Sequence, residues 1–167
     1  MGRREPCRPT ALRSASIMGT EDYDNPEVED RWCEQQRNIV VTYLQSEGVK
    51  HGRVGDWPAW HVAPYVSIWA IESYKNPEWI GWWVISGDLP TDYISASDIE
   101  PPQHPRKALK AIAERWRWYV DETQKGKKPA HYRIGKPEMF EDLAPLLVKR
   151  ADLFIEWAQD DSLWEEE

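Results

Sequence analysis

Three side chains in the middle of the sequence have the types that acid–base chemistry needs. Glu72 lies in an apolar, tryptophan-rich stretch, and a carboxylate beside aromatic rings is expected to have a raised pKa and could act as a general acid. His61 lies upstream among aromatic and apolar residues, and Asp88 follows a glycine downstream. A tryptophan-lined pocket that contained all three would support a small hydrolase. The plainer interpretation is that Glu72 lies near a turn and reaches water.

The same residues do not predict a metal site. Glu72 and Asp88 could be combined on paper with three further residues, His51, His61 and Asp92. None of them has the short, fixed spacing that is typical of zinc ligands. A histidine in this context is more often a hydrogen-bonding strut, and Asp88 and Asp92 have the positions of turn-capping acids. We therefore expect no metal and no cofactor.

Tryptophan is the other residue type with functional potential. Of 11 tryptophans, five could stack on a sugar or a base or anchor a protein partner: Trp57, Trp60, Trp79, Trp82 and Trp83. The alternative is that they form the core, which we expect for three of the five. The candidate binding residues are Trp57, Trp60, His61, Trp82, Asp88 and Asp92. A sugar-binding module would require two coplanar, exposed tryptophans.

The elements that must position these residues begin with a β-hairpin. Residues 65–74 and 79–86 are rich in aromatic and β-branched residues, and the Lys-Asn-Pro-Glu segment between them favours a type I turn. A literal four-residue loop pairs Glu72 with Gly81, Ala70 with Trp83 and Ile68 with Ile85. Both faces of this hairpin are largely apolar, so the sequence predicts two central strands that are covered on both sides.

Helices are predicted on either side of the hairpin. The first begins after the N-cap Asn25 and ends at Gly48. The second extends from about Pro105 to Thr123, and the third from about Pro137 to Gln159 with a kink or break near Asp142, caused by Pro145. In the second helix, Trp118 lies off the apolar stripe and is expected to be exposed.

Two segments are predicted to be mostly irregular. Glycines and prolines interrupt residues 49–64, so we expect an ordered loop, and such loops often carry function. Residues 93–95 could add a short edge strand beyond the hairpin. Nowhere in the sequence is there a nucleophile elbow, a phosphate-binding loop, a dinucleotide fingerprint or a redox cysteine pair.

Charge narrows the classes of partner. The first seventeen residues hold four arginines and one glutamate, a net charge of +3, so the remaining chain carries 17 basic and 28 acidic side chains, −11. An acidic body repels phosphate backbones, which argues against nucleic acid and fits a soluble protein or one that docks on a basic partner. No apolar run approaches the length of about 20 residues that crosses a bilayer. Two cysteines without a ligand cluster fit a reducing, cytoplasmic compartment.

The ends of the chain differ in composition from its centre. Residues 1–24 are predicted to be a disordered or misassigned N-terminal extension, because an arginine-rich segment precedes Met18 and a second plausible start. Residues 25–160 are predicted to form one domain, and residues 161–167 an acidic C-terminal tail. The oligomeric state is left open.

The chain resembles a known family in two motifs, GDWPAWHVAPYVSIWAIES and GWWVISGDLPTDYIS, and in a terminal DDSLW. This is a small bacterial family described as a domain of unknown function, and the resemblance covers residues 32–164. The resemblance implies a soluble, single-domain protein and carries no catalytic residue, cofactor or activity.

These observations lead to one fold and two main functions. We expect an α+β domain in which a small antiparallel sheet, built on the tryptophan-rich hairpin, packs against about three helices. The favoured function is a cytoplasmic binding protein with an aromatic and acidic surface, for which an immunity protein that neutralises a basic toxin is one example. The alternative is the small hydrolase with Glu72, His61 and Asp88.

Overall fold

The computed structural model describes residues 21–129 and 132–165, so most of the predicted N-terminal extension lies outside the described residues. In these ranges the chain forms three α-helices and five β-strands: α1 (Pro26–Ser46), β1 (His51–Val54), β2 (Trp60–Val62), β3 (Val66–Ser73), β4 (Ile80–Gly87), β5 (Asp92–Ser95), α2 (Pro105–Gln124) and α3 (Phe140–Gln159). All strand pairs are antiparallel in the order β1-β3-β4-β5, and β2 also pairs with β3. The predicted α+β class with a small antiparallel sheet is confirmed.

The first helix begins and ends where local chemistry predicts. The side chain of Asn25 accepts a hydrogen bond from the N–H of Glu27 at 2.9 Å, and Pro26 occupies the first helical position. The helix ends at Ser46, and Gly48 adopts a φ of 67°, a left-handed conformation that glycine adopts without strain. Both predicted boundaries are therefore confirmed.

The central hairpin forms with one change in register. Ala70 pairs with Trp83 and Ile68 with Ile85, as expected. However, a bulge after Ile71 makes Glu72 pair with Ile80, so its predicted pairing with Gly81 is wrong. A glycine is needed at position 81, because a Cβ atom there would lie 2.7 Å from the Cα of Ser73.

Both faces of the hairpin are covered, as the apolar pattern predicts. On one face, strand residues pack against α2 and α3, with Ile68, Trp83 and Ile85 in the same cluster as Leu109, Trp116 and Phe154. On the other face, Trp69, Ile71 and Val84 pack against Val40 and Leu44 of α1. The sheet is therefore the middle layer between two helical layers.

The prediction of an irregular loop over residues 49–64 is wrong, because this segment contains β1 and β2. Both strands are only three or four residues long and pair with β3, which supplies the hydrogen bonds that such short strands could not make alone. Gly55, Pro58 and Pro64 lie outside the strands. Strands of three or four residues are too short to leave a periodic signal in the sequence.

The second and third helices pack side by side. Helix α2 matches its predicted limits, and Trp118 on it is 48% exposed, as expected. Of the predicted kink or break near Asp142, the break is wrong: a 3-10 turn over Pro137–Met139 leads directly into α3, which continues through Pro145. The kink stays a prediction. Proline has no N–H, so the carbonyl of Glu141, four residues before Pro145, lacks its usual helical donor. Both residues are exposed, so solvent can satisfy that carbonyl.

The chain beyond α3 folds back onto the domain. Residues Asp161–Leu163 form a 3-10 turn in which Leu163 is buried. The ring of Trp164 stacks on that of Trp60 with centroids 4.4 Å apart, and its Nε1 donates to the carbonyl of Trp157 at 2.9 Å. Of the helices in the described part of the chain, none is both long and apolar enough to cross a membrane.

Candidate functional site

His61 belongs to a buried polar pair. Its side chain is fully buried on β2, and its Nε2 lies 2.8 Å from Oε1 of Glu29, which is buried on α1. The rings of Trp32 and Trp57 flank the imidazole, with centroids 6.2 and 5.6 Å away. The pair ties α1 to the sheet, and the enclosed imidazole has no face turned to solvent.

Glu72 lies at the hairpin end of β3. Its Oε1 accepts a hydrogen bond from the backbone N–H of Arg53 at 3.1 Å, and its Oε2 accepts one from the N–H of Glu78 at 3.2 Å. These bonds stabilise the charged carboxylate, so the pKa of Glu72 is lowered, first by the Arg53 amide and then by that of Glu78. The raised pKa of the general-acid alternative is therefore wrong, because backbone amides bind the carboxylate; Glu72 lies near the turn, as the plainer interpretation has it.

Asp88 lies on the other side of the sheet from His61. It accepts a hydrogen bond from Nη2 of Arg150, on α3, at 2.7 Å, whereas His61 faces α1. Glu72 lies at the far end of β3, since His61 pairs with Ser67, five residues or about 17 Å along an extended strand from Glu72. The three residues do not share a pocket, so the hydrolase alternative lacks the convergence that acid–base catalysis requires.

The five candidate tryptophans have very different exposures. Trp60 and Trp83 are buried, with 5% and 1% of their surface exposed, while Trp57 and Trp82 are half-buried. Trp79 is 74% exposed. Of the predicted binding residues, Trp82 and Asp92 come together, whereas Trp57, Trp60 and His61 belong to packed layers near β2.

Trp82 and Asp92 line a cleft of about 310 Å³ beside β5. Three aromatic rings from α1, β4 and β5 form its walls: Tyr43, Trp82 and Tyr93. Tyr93 meets both other rings edge to face, with centroids 5.8 Å from Tyr43 and 5.5 Å from Trp82. We call this the aromatic cleft. Three exposed charged residues stand at its rim: Glu47, Asp98 and Arg133.

Asp92 organises one wall of the aromatic cleft. Its buried Oδ2 accepts hydrogen bonds from Nη2 of Arg115 and Nε1 of Trp116, each at 2.9 Å, and from the hydroxyl of Tyr132. The Arg115 guanidinium also donates to the carbonyl of Tyr93 and lies 4.2 Å from the centre of the Tyr132 ring. One carboxylate therefore joins β5 to α2 and to the segment before α3.

The electrostatic balance of the aromatic cleft is negative. Burial, followed by the carboxylates of Asp92 and Glu47, raises the pKa of Tyr43, and burial with Glu47 and then Asp92 raises that of Tyr93. Both phenols therefore stay neutral and keep their protons. Burial lowers the pKa of Arg115, but Asp92 and Tyr132 more than offset this, so its pKa is raised and its charge is fixed. Three acidic and two basic side chains line the cleft.

Sequence reasoning missed most of this site. Tyr43 and Tyr93 look like ordinary apolar positions of a helix and a strand, and Glu47 like a polar residue at a helix end. One signal was present: Arg115 lies between Ile112 and Tyr119 on the apolar stripe of α2, and an arginine at such a position needs a buried partner.

A wider groove of about 900 Å³ lies between the end of α2 and the start of α3. Its charged residues, Glu141, Lys149 and Asp152, are all exposed, and one aromatic ring, Phe140, lines it. It therefore offers less for recognition than the aromatic cleft. In the part of the chain that the structure describes, His, Cys, Asp and Glu side chains form no group of three or more that could hold a metal ion.

Comparison with known proteins gives one match. The family described as "Domain of unknown function (DUF4826)" matches residues 27–164, which is most of the chain. No curated protein and no solved structure matches this chain. The match covers all the helices and strands described above apart from the first residue of α1.

Proposed function

We propose that this chain, which belongs to that family of unknown function, is a binding protein that holds a positively charged side chain of a basic partner in the aromatic cleft. The observation that carries the proposal is the set of three neighbouring rings, Tyr43, Trp82 and Tyr93, with carboxylates beside them. The faces of aromatic rings attract ammonium and guanidinium groups, more strongly where water is partly excluded, and the carboxylates add to this attraction.

The charges around the rings support a cationic ligand over an anionic one. Arg115 is already neutralised by Asp92, so it adds little attraction for an anion. Glu47 and Asp98 outnumber Arg133 at the rim, and the whole chain carries a net charge of −8. Such a field raises the rate at which a basic partner associates and disfavours acidic ones.

The class of partner follows from the same balance. A lysine or arginine that projects from a basic protein would fill a cleft of about 310 Å³ and leave the surrounding acidic surface to contact the rest of that protein. A small protein that neutralises a basic toxin is one example, supported by size and charge. A cytoplasmic setting is part of the proposal, and the free, buried Cys33 is consistent with it.

The test is a titration of the full chain, labelled with ¹⁵N, with the peptide acetyl-Gly-Gly-Gly-Arg-Gly-amide. We expect the largest shifts at the Trp82 indole and the Tyr93 amide. The dissociation constant should be at least about fivefold lower than for the same peptide with glutamine in place of arginine. Equal affinity for the two peptides, or shifts located outside the cleft, would refute the proposal.

Two matched double variants separate local charge from overall charge. Glu47→Gln combined with Asp98→Asn removes two carboxylates from the rim, whereas Glu138→Gln combined with Asp142→Asn removes two exposed carboxylates near the start of α3. We expect the first to weaken binding of the arginine peptide by about threefold or more and the second to change it little. The same loss in both would mean that binding is non-specific.

A further inference from the structure

The tip of the hairpin, residues 74–79, exposes two large aromatic side chains. Trp79 is 74% exposed and Tyr74 is 65% exposed, the two highest values among the exposed large apolar side chains of the described chain. Tryptophan and tyrosine are the residue types most enriched among those that anchor a protein partner. Lys75 and Glu78, the charged residues within the tip, cancel, so the tip offers an apolar contact.

Hydrogen bonds hold the tip in one shape. The N–H of Ser73 donates to the carbonyl of Trp79 at 2.7 Å, and the N–H of Trp79 donates to that of Asn76 at 3.1 Å. The N–H of Asn76 donates to Oγ of Ser73 at 3.2 Å. Because the loop is already ordered, little conformational entropy is lost when Trp79 meets a partner.

Glu72 is the positioning residue of this tip. Its carboxylate bridges the N–H of Arg53 on β1 and the N–H of Glu78, whose φ of 75° lies in the left-handed region. The bridge requires a glycine at position 52, since a Cβ atom there would overlap the Glu72 carboxylate. Glu78, directly before the exposed Trp79, is therefore in a strained backbone conformation, and such strain is typical of sites where a particular shape is required.

The tip lies on the same side of the hairpin as Trp82, which lines the aromatic cleft. Ile80 packs toward α2 and α3, whereas Trp82 packs toward α1, on the side of Tyr43 and Tyr93. The bulge leaves Gly81 as an extra residue, which is why Ile80 and Trp82 face opposite sides although they are two residues apart. The N–H of Ser73 donates to the carbonyl of Trp79, so the pairing continues to Trp79, and alternation places Trp79 opposite Ile80, on the side of Trp82. Trp79 and Trp82 are three residues apart, so their Cα atoms are separated by at most about 10 Å.

We infer that Trp79 is a second contact point for the basic partner, and that it packs against an apolar side chain about 10 Å from the partner's lysine or arginine. This inference rests on the proposed function, since the cleft supplies the first contact. The two contacts then act as one surface: the cleft selects the charge and the tip selects the apolar neighbour at the correct distance.

The experiment compares three peptides on the full chain by the same titration. Two carry leucine three residues before or after arginine, acetyl-Leu-Gly-Gly-Arg-Gly-amide and acetyl-Gly-Arg-Gly-Gly-Leu-amide, and the third is the glycine peptide above. We expect one leucine peptide to bind native protein more tightly than the glycine peptide. Trp79→Ala should weaken that leucine peptide by about fivefold and leave the glycine peptide unchanged.

Two further variants make the result specific. Trp118→Ala removes another exposed tryptophan, on α2, and should leave all three affinities unchanged. Glu72→Gln leaves Trp79 in place but weakens the bridge to Glu78, so it should lower the affinity of the leucine peptide alone. If Trp118→Ala weakened binding of the leucine peptide as much as Trp79→Ala does, the inference would be overturned.

The outcomes separate this inference from the proposed function. If Trp79→Ala changes no affinity while the Glu47 and Asp98 double variant weakens every peptide, the tip inference fails and the cleft proposal stands. If none of the arginine peptides binds native protein, both fail. If Trp79→Ala weakens binding of the leucine peptide and leaves binding of the glycine peptide unchanged, the tip inference and the cleft proposal are both supported.

Discussion

Asp92 illustrates how a single buried carboxylate determines the local arrangement of several elements. It accepts hydrogen bonds from Arg115, Trp116 and Tyr132, which come from α2 and the segment that precedes α3. In the sequence it is one of several acids near a proline and looks like a turn cap. Its actual partners are 23, 24 and 40 residues away, a separation at which sequence offers no local signal.

Substitution of Asp92 by asparagine should destabilise the fold. Asparagine keeps the shape but removes the charge, which leaves the guanidinium of Arg115 largely buried without its counter-ion. We expect the free energy of unfolding to fall by about 3 kcal/mol, measured by urea denaturation. Asp88→Asn is the control, because the Asp88 side chain is 68% exposed in its pair with Arg150 and should cost less than about 1 kcal/mol. Equal losses would contradict the assigned role of Asp92.

At the scale of elements, the end of β4 depends on a backbone geometry that only glycine permits. Gly87 ends β4 with a φ of 140°, and this conformation lets the N–H of Asp88 donate to the carbonyl of Tyr65 at 3.0 Å. A Cβ atom at this position would overlap that carbonyl oxygen and lie 2.9 Å from the Cα of Val66. The close approach therefore closes the end of the β3–β4 pair.

The substitution Gly87→Ala should therefore strongly destabilise the fold. We expect a loss of about 3 kcal/mol or more in the free energy of unfolding, because both the space and the backbone conformation exclude a side chain. Gly48→Ala is the matched control: its φ is 67°, but no atom lies within 4 Å of the added Cβ. There only the conformational cost applies, about 1 kcal/mol. Similar unfolding midpoints for the two variants would show that the contact with Tyr65 does not matter.

The edge strand β1 is also closed by side chains from other elements. The carbonyl of Val54 accepts from Nη2 of Arg37, and that of Lys50, just before the strand, accepts from Nε1 of Trp82 at 3.2 Å. These bonds occupy acceptors that could otherwise pair with another chain.

At the scale of the whole molecule, the C-terminal segment joins layers that are far apart in sequence. Trp164 stacks on Trp60 of β2, lies 5.9 Å from the ring of His104 before α2, and bonds to the carbonyl of Trp157 in α3. The acidic composition of the last residues predicts a solvated tail, and the apolar pair Leu163 and Trp164 is what attaches it to the domain.

Trp164→Ala should therefore lower global stability. Loss of the stack and of the indole hydrogen bond is expected to cost about 2 kcal/mol, less than for a fully buried tryptophan. Thermal and urea unfolding of the full chain would measure it. Trp118→Ala serves as the control, because Trp118 is 48% exposed and its removal should cost about 0.5 kcal/mol or less. A cost for Trp164→Ala no larger than for Trp118→Ala would mean that the segment is only loosely attached.

By itself, the sequence determined the elements whose signals are local. The limits of α1 and α2 follow from capping residues and helical periodicity, and the hairpin follows from two β-prone runs around a proline turn. Even the coverage of both hairpin faces could be predicted, because alternation along a strand assigns each residue to a face. These features depend on neighbours within about ten positions.

Only the tertiary structure decided the chemistry of the candidate sites. The amide of Arg53, the first cause of the lowered pKa of Glu72, lies 19 residues from it, and His61 is buried against Glu29, 32 residues away. The bulge joins residues that are near in sequence, but no residue type in the hairpin predicts it. The aromatic cleft likewise combines Tyr43, Trp82 and Tyr93 from three elements. Which side chains meet is determined by how the layers pack, and packing energies depend on contacts that no short stretch of sequence contains.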